Sequence, residues 1–452
     1  MKLKKDFSIQ KARRQELLKA IQQEHDVADE SLVMLVAGFE NDRTAFWQES
    51  SFLYYTGITE AATVLTLDFD YKTSLLVPNC GDEREKWIYS PISLTQESAK
   101  QLGVDEVTVL GDRCAGYQLF PFFKAESYVH IITRLKKIVT DNAQLFTLYP
   151  ANEHEYVEQR LVMNHLCEFV PGLKDKIIDV SPIVAEMRRQ KDMDEIAKIS
   201  KAIEITELAH EAAAQAIKEG MLECEVQASL EYMMVGAKSR PSFPSIVATN
   251  KNATVLHYMA NNAELKDGDL VVVDIGSVFE GYCSDLTRTY PVSGKFTDRQ
   301  KELYNLVLDA QSYIADIAKP GMYLRSNEHP EESLHHLAVN FFKKYGYEKY
   351  FIHGIGHFLG LDVHDVGDVS IPLKDNDVFT IEPGLYIPQE GIGIRIEDDY
   401  WMGKKGCISL SENLPKSVEE IEALVQQQFD DSDDIDDIDD TVDFSDIGKT
   451  EH

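Results

Sequence analysis

Two short segments in the second half of the chain constrain its fold most, because each reads as a β-hairpin that brings two acids together. In the first, residues 269–276 (DLVVVDIG) form an apolar run of strand character, Glu280-Gly281 signals a turn, and 282–292 (YCSDLTRTYPV) returns as a second strand. Folding about that turn sets Asp274 roughly opposite Asp285. In the second, 379–387 (FTIEPGLYI) carries Glu382, PQEGIG turns, and 392–399 (IGIRIEDD) carries Glu397; the midpoint between the glutamates falls at Gln389-Glu390, inside the turn. Cross-strand neighbours lie about 4.5–5.5 Å apart, so each hairpin can present two carboxylates to one point. Four converging carboxylates repel strongly in a partly buried site unless cations hold them. With His357 as a fifth donor in a glycine-rich turn, a dinuclear metal centre resolves the conflict.

The donor types narrow the metal. None of the five is a cysteine and only one is a histidine. Oxygen-rich sites suit hard ions such as Mn²⁺ and Mg²⁺, whereas structural zinc prefers Cys and His. Manganese is the expected ion, with cobalt, iron and zinc left open. Two such ions ready a water for attack on a carbonyl and stabilise the oxyanion that forms, which is hydrolase chemistry.

The series VVDIG…GYCSDLTRTYPV…HGIGHFLGLDVHDVG…TIEPGLY…GIRIEDD resembles the metallopeptidases of the pita-bread fold, in particular Xaa-Pro aminopeptidase (aminopeptidase P) and prolidase. The resemblance is strong over about 180–412. It extends more weakly to the first 170 residues, where FWQESSFLYYTGITEAATVLTL (46–67) is similar to the family's N-terminal domain. It implies an α+β pita-bread catalytic domain behind a smaller α/β domain, acting on a residue followed by proline. It further implies that Asp274 holds one metal, that His357 and Glu382 hold the other, and that Asp285 and Glu397 bridge them. Glu382 matches the proposed general base. His257 and His364 match histidines that bind substrate or move a proton, and His353 matches one lining the cleft. Arg395 matches an arginine beside the bridging carboxylate, in the substrate region. An X-Pro bond has no N–H and a fixed φ, so proteases that grip extended backbone handle it poorly.

Each residue also has an ordinary reading. A lone Asp274 is most simply a strand-end acid, and His257 and His364 are most simply hydrogen-bonded loop histidines; only the ordered set makes them ligands or catalysts. Arg395 alone would be a surface ion pair. His353 and His357 stand four apart like the H-E-x-x-H zinc pair, but Gly354 and Gly356 argue against the helix that motif needs.

At 452 residues the chain has room for two domains. The expected boundaries are an N-terminal domain over 1–170, a linker over 171–182, a catalytic domain over 183–428 and an acidic tail over 429–452. In the first domain LVMLVAG (32–38), ATVLTLDF (62–69), TSLLVP (73–78), EVTVLG (106–111) and YVHIIT (128–133) read as strands. In the second, Asp192 with Glu195 caps a long helix ending near Gly220, Thr297 with Gln300 opens another that Pro320-Gly321 closes, and a third runs from near Pro330 to Gly346. Six cysteines (Cys80, Cys114, Cys167, Cys224, Cys283 and Cys407) show no paired spacing, which suits a reduced cytoplasmic protein. The charged, amphipathic N-terminus lacks the features of a signal peptide, and no apolar run approaches the ~20 residues of a membrane span.

The tail holds ten Asp and one Glu against one Lys, −10 of the chain's net −32. Such a block repels itself and reads as disordered, and the overall charge argues against nucleic acid, which needs basic surface. The partners expected are proline-containing peptides and further copies of the chain, as a dimer or tetramer. Xaa-Pro aminopeptidase is favoured by the short turn between Glu382 and Glu397 and by NDRTAFWQES (41–50). Prolidase acting on dipeptides is the alternative. Methionine aminopeptidase fits less well, and a metal-free binding protein on the same fold would have lost ligands that are all present here.

Overall fold

A computed structural model describes residues 7–88, 94–114, 119 and 124–431. The chain divides into two units, Met1–Arg188 and Arg189–His452. Among its described residues the first has six strands: β1 (Leu32–Val36), β2 (Val64–Asp68), β3 (Thr73–Val77), β4 (Glu106–Val109), β5 (Leu145–Thr147) and β6 (Ile177–Asp179). They lie in the order β4-β3-β2-β1-β5-β6, with β1–β2 and β2–β3 antiparallel and the outer pairs parallel. All five residues of β1 are buried. A central strand covered on both faces must be apolar throughout rather than alternating, which is why LVMLV is continuous.

Two expectations fail in this unit. YVHIIT (128–133), read as a strand, opens the helix Val129–Thr140. Its buried residues Ile131, Ile132, Leu135 and Ile138 fall on one helical face, and a six-residue β-branched window is too short to show that spacing. The stretch 171–182, read as a linker, instead contains the turn Leu173–Lys176 and β6, whose Ile177 pairs with Leu145 of β5. The terminal residues 1–6 and most of the acidic tail, 432–452, lie outside the described residues. The last helix, Val418–Asp431, carries regular structure slightly past the expected start of that tail.

Among the described residues the second unit carries ten strands. β7 (Ile246–Thr249), β8 (Leu270–Ile275) and β11 (Leu286–Pro291) form one sheet in the order β11-β8-β7, and the short strands β9 (Val278–Phe279) and β10 (Tyr282–Cys283) extend its hairpin. β12 (Val378–Ile381), β15 (Asp398–Gly403) and β16 (Gly406–Ser409) form another, extended by β13 (Gly384–Ile387) and β14 (Ile392–Arg395). An isolated bridge between Thr287 and Glu397 joins the two hairpins. Helices Met193–Ala216, Asp298–Ile317 and Leu334–Lys344 are present. The first two open on the expected capping boxes. The third begins only at Leu334, where Ser333 supplies the N-cap oxygen that Pro330 cannot. Their apolar faces pack on the strands in one core that includes Ile205, Ala209, Val273, Tyr304 and Phe379.

Hairpin register sets the site. In the second hairpin Ile387 pairs with Ile392 and Ile381 with Asp398, so Glu382 stands opposite Glu397 as expected. The first hairpin differs. Glu280 (φ 48°) and Gly281 (φ 95°) make a two-residue turn with positive φ at both centres, the type that matches strand twist. Phe279 therefore pairs with Tyr282, and Asp274 with Thr287 rather than Asp285. Asp285 is displaced from direct opposition by two residues. Because side chains alternate with period two, it stays on the same face as Asp274.

Candidate metal centre

The five predicted donors come from three places: the first hairpin, the second hairpin, and the irregular loop that carries His357. Gly356 lets that loop approach, since a Cβ there would lie 1.9 Å from the Thr380 carbonyl oxygen. His357 Nδ1 donates to the Phe358 carbonyl at 3.0 Å, which leaves Nε2 as the free lone pair. That nitrogen lies 3.4 Å from Asp285 Oδ2 and 3.8 Å from Glu382 Oε1. Ligand atoms of Asp285, His357 and Glu397 all fall within 4.8 Å of one another. Glu397 Oε2 accepts from the Thr287 hydroxyl at 2.7 Å. Asp274 is joined to the group through Arg395, whose Nη2 donates to Asp274 Oδ2.

Charge is severely crowded here. Burial pushes Asp285 well above the usual carboxylate range, with Asp274, Asp399 and Glu382 adding repulsion. Glu397 is raised for the same reason, by burial and then by Asp285, Glu382 and Asp274. Burial also raises Glu382, partly offset by His357 and Arg395. Asp274 Oδ1 and Asp285 Oδ1 are buried and accept no hydrogen bond. Buried oxygens without partners are costly, and a set that is mostly carboxylate with one imidazole lone pair is a donor set for divalent cations. The residues present fit the metal.

Around the donors, His353 Nδ1 donates to Gly354 O at 2.8 Å, and its Nε2 accepts from the Tyr386 hydroxyl at 2.9 Å. Burial and the nearby Arg395 lower His353 to about 3. The ring of His364 meets that of His357 edge-on at 4.2 Å, and burial with His357 lowers it to about 4. His257 is exposed on the loop after the turn Asn250–Thr254, near enough for its charge to bear on both histidines. None of the three is on a helix, so the zinc-helix motif is absent from 353–357.

Arg395 lies beside Glu397, as the resemblance implies, and also grips Asp274. It is 4% exposed, and its guanidinium is engaged by Asp274, by Tyr386 Oη at 2.9 Å and by Thr287 Oγ1 at 3.2 Å. Its Nε lies 3.9 Å from Glu397. It therefore braces Asp274 first and lies beside Glu397 second. Sequence reading also missed Thr287, Tyr386 and Asp399, whose Oδ2 accepts the Asp285 N–H at 3.1 Å. Thr287 could have been found from the turn: two residues with positive φ at 280–281 make it the partner of Asp274.

Known proteins resemble this chain over both of its units. Residues 197–404 match the model of metallopeptidase family M24, and 10–113 match the aminopeptidase P N-terminal domain. The Xaa-Pro aminopeptidase of Escherichia coli is 33% identical over 439 residues, covering 87% of this chain and 93% of that protein. The Xaa-Pro dipeptidase of Pyrococcus furiosus is 38% identical over 237 residues, covering 51% and 66%. The solved structure of zinc-substituted Escherichia coli aminopeptidase P with product superposes with a TM-score of 0.78 at 29% identity, over 94% of this chain and 99% of that one. The second unit has the pita-bread fold, and its cluster of acids and histidine is a divalent-metal site. The chain belongs to metallopeptidase family M24, with an aminopeptidase P N-terminal domain ahead of the catalytic one.

Proposed function

We propose that the chain is an Xaa-Pro aminopeptidase, a metallo-exopeptidase that hydrolyses the bond between an N-terminal residue and a following proline. One observation carries this: ligand atoms of Asp285, His357 and Glu397 lie within 4.8 Å of one another, with Glu382 3.8 Å from the same imidazole, in a chain alignable along most of its length with such an enzyme. Asp274, Asp285, His357, Glu382 and Glu397 would hold two divalent ions, and the oxygen-rich set favours Mn²⁺. When bound, such ions polarise a carbonyl and lower the pKa of a water.

The chain's own groups do the rest. Glu382, with Oε2 3.5 Å from His353 Nδ1, takes the proton of the attacking water and delivers it to the departing proline nitrogen. The environment that raises its pKa favours a group that must both accept and return a proton. His364 and His257 donate N–H to the oxyanion of the tetrahedral intermediate. The lowered pKa of His364 keeps it a neutral donor near pH 7. Tyr386 fixes His353 in the cleft wall, and Arg395 holds Asp274 against it. Six thiols outside any disulfide fit a cytoplasmic setting, and no helix among the described residues is long and apolar enough to cross a membrane. A dimer or tetramer is the proposed assembly.

Prolidase is the second reading, because the Xaa-Pro dipeptidase of Pyrococcus furiosus is 38% identical over 237 residues. Product analysis by mass spectrometry separates the two. With Mn²⁺ supplied, release of X from an X-Pro-Y-Z tetrapeptide, abolished by chelator, is the expected result. Cleavage of an X-Pro dipeptide alone makes the protein a prolidase, and cleavage of neither refutes both.

A further inference from the structure

Residues 351–377 carry His353, His357 and His364, yet contain no helix and no strand beyond isolated bridges. Such a segment cannot hold an imidazole to the ~0.5 Å that catalysis requires by local structure alone. The support comes from residues 189–191. Arg189 Nε and Nη2 donate to Asp377 Oδ1 and Oδ2 at 2.9 and 2.5 Å, and Nη2 also donates to the Pro372 carbonyl at 2.7 Å. The Lys191 N–H donates to Asn376 O at 3.0 Å. These contacts tie down the far end of the loop.

Lys191 reaches further in. Its Nζ donates to Asp365 Oδ2 at 2.9 Å, and both side chains are 1% exposed. The loop closes directly over this pair: a Cβ at Gly360 would lie 2.1 Å from Asp365 Oδ2 and 2.9 Å from Lys191 Cε. Gly360 O accepts from Cys283 N at 2.7 Å, two residues before Asp285. Asp365 itself follows His364, whose ring abuts His357. A buried ion pair seldom adds stability over an apolar pair of the same volume. This one stands behind a site histidine, where fixed geometry matters more than stability.

We propose that Lys191 is a positioning residue for the reaction: by gripping Asp365 at the back of the loop, its ammonium sets where the His364 imidazole stands beside His357. The role of His364 in handling substrate is the one proposed above. Arg189–Asp377 is a separate anchor, so uncoupling Lys191 from Asp365 shifts His364 while leaving the loop attached.

The test uses the full chain with Lys191→Met/Asp365→Asn, which removes both buried charges together, alone and combined with His364→Ala. Metal content, melting temperature, kcat, KM and the ¹³C resonances of labelled histidines are measured on each. The expected result is unchanged metal content, a melting temperature within a few degrees of the wild type, and kcat lowered about 10- to 100-fold. The His364 resonance moves while that of His329, stacked on Tyr323, stays. In the His364→Ala background the double substitution costs nothing further, because the two act as one unit. Fully additive losses, an unmoved His364 resonance, or loss of metal or fold would each overturn the proposal. If His364→Ala alone retains full activity, the reading of His364 falls, and the resonance shift then decides the positioning of its ring by itself.

Discussion

Each residue of the centre is explained by what surrounds it. Asp285 and Glu397 are nearly inaccessible acids pushed toward the neutral form by burial first and then by the neighbouring carboxylates, a state that divalent cations relieve. Asp285→Asn keeps the shape and removes one charge, so metal affinity should fall by at least about tenfold, measurable by calorimetric titration of the chelated protein; unchanged affinity removes Asp285 from the ligand set. Glu382→Gln should leave the fold intact and lower kcat by about 100- to 10,000-fold, and a variant with full turnover would clear Glu382 of the base role. Thr287→Val deletes the hydroxyl shared by Glu397 and Arg395 and should cost about tenfold in metal affinity or activity. The five donors were legible because they fall in order inside distinctive flanks. Thr287, Tyr386 and Asp399 were not, since a hydroxyl or a second acid becomes a partner only once the register is known, and the register of the first hairpin turned on the two-residue turn at Glu280-Gly281.

Among the elements, those with explicit end signals were read correctly: the capping boxes at Asp192 and Thr297 appear in the structure with both halves formed. Helix Val129–Thr140 was misread because its β-branched start looks like a strand, and β6 because three residues between turns carry no periodicity. The long helix Met193–Ala216 also carries a pH-sensitive joint. His210 lies fully buried against β11, with Nδ1 3.1 Å from the Tyr290 hydroxyl and Nε2 3.1 Å from the Leu286 carbonyl oxygen. Burial lowers its pKa from 6.5 to about 3, with nearby Arg288 adding to the effect. Above pH 6.5 both folded and unfolded forms are neutral there, and the group contributes no pH dependence. As pH falls from 6.5 toward 3, the unfolded chain takes up a proton that the folded chain refuses, so stability drops. Urea midpoints at pH 7.5 and 5 should therefore converge for His210→Gln more than for the wild type; an equal pH dependence in both would show that His210 does not titrate on unfolding.

For the whole molecule, the metal links site to stability. Ions that bind only the folded form stabilise it by mass action, about 2.7 kcal/mol at one hundred times the dissociation constant. Chelation should accordingly lower the melting temperature, and Mn²⁺ should restore it; a melting curve indifferent to both would leave the crowded carboxylates without their explanation. Removing 432–452 takes away most of the acidic run and should leave kcat/KM within about twofold, the expectation for a segment so rich in like charge; a large loss would make it part of the working enzyme. The proposed function needs the two hairpins and the His357 loop to build one hydrolytic centre for two ions. Titrating the chelated protein with Mn²⁺ while following both bound metal and X-Pro-Y-Z hydrolysis examines this directly. Two ions per chain are expected in the wild type, with turnover rising as they bind and little turnover at any occupancy in Glu382→Gln. Full turnover without metal, or an unaltered titration in Asp285→Asn, would overturn the two-ion centre.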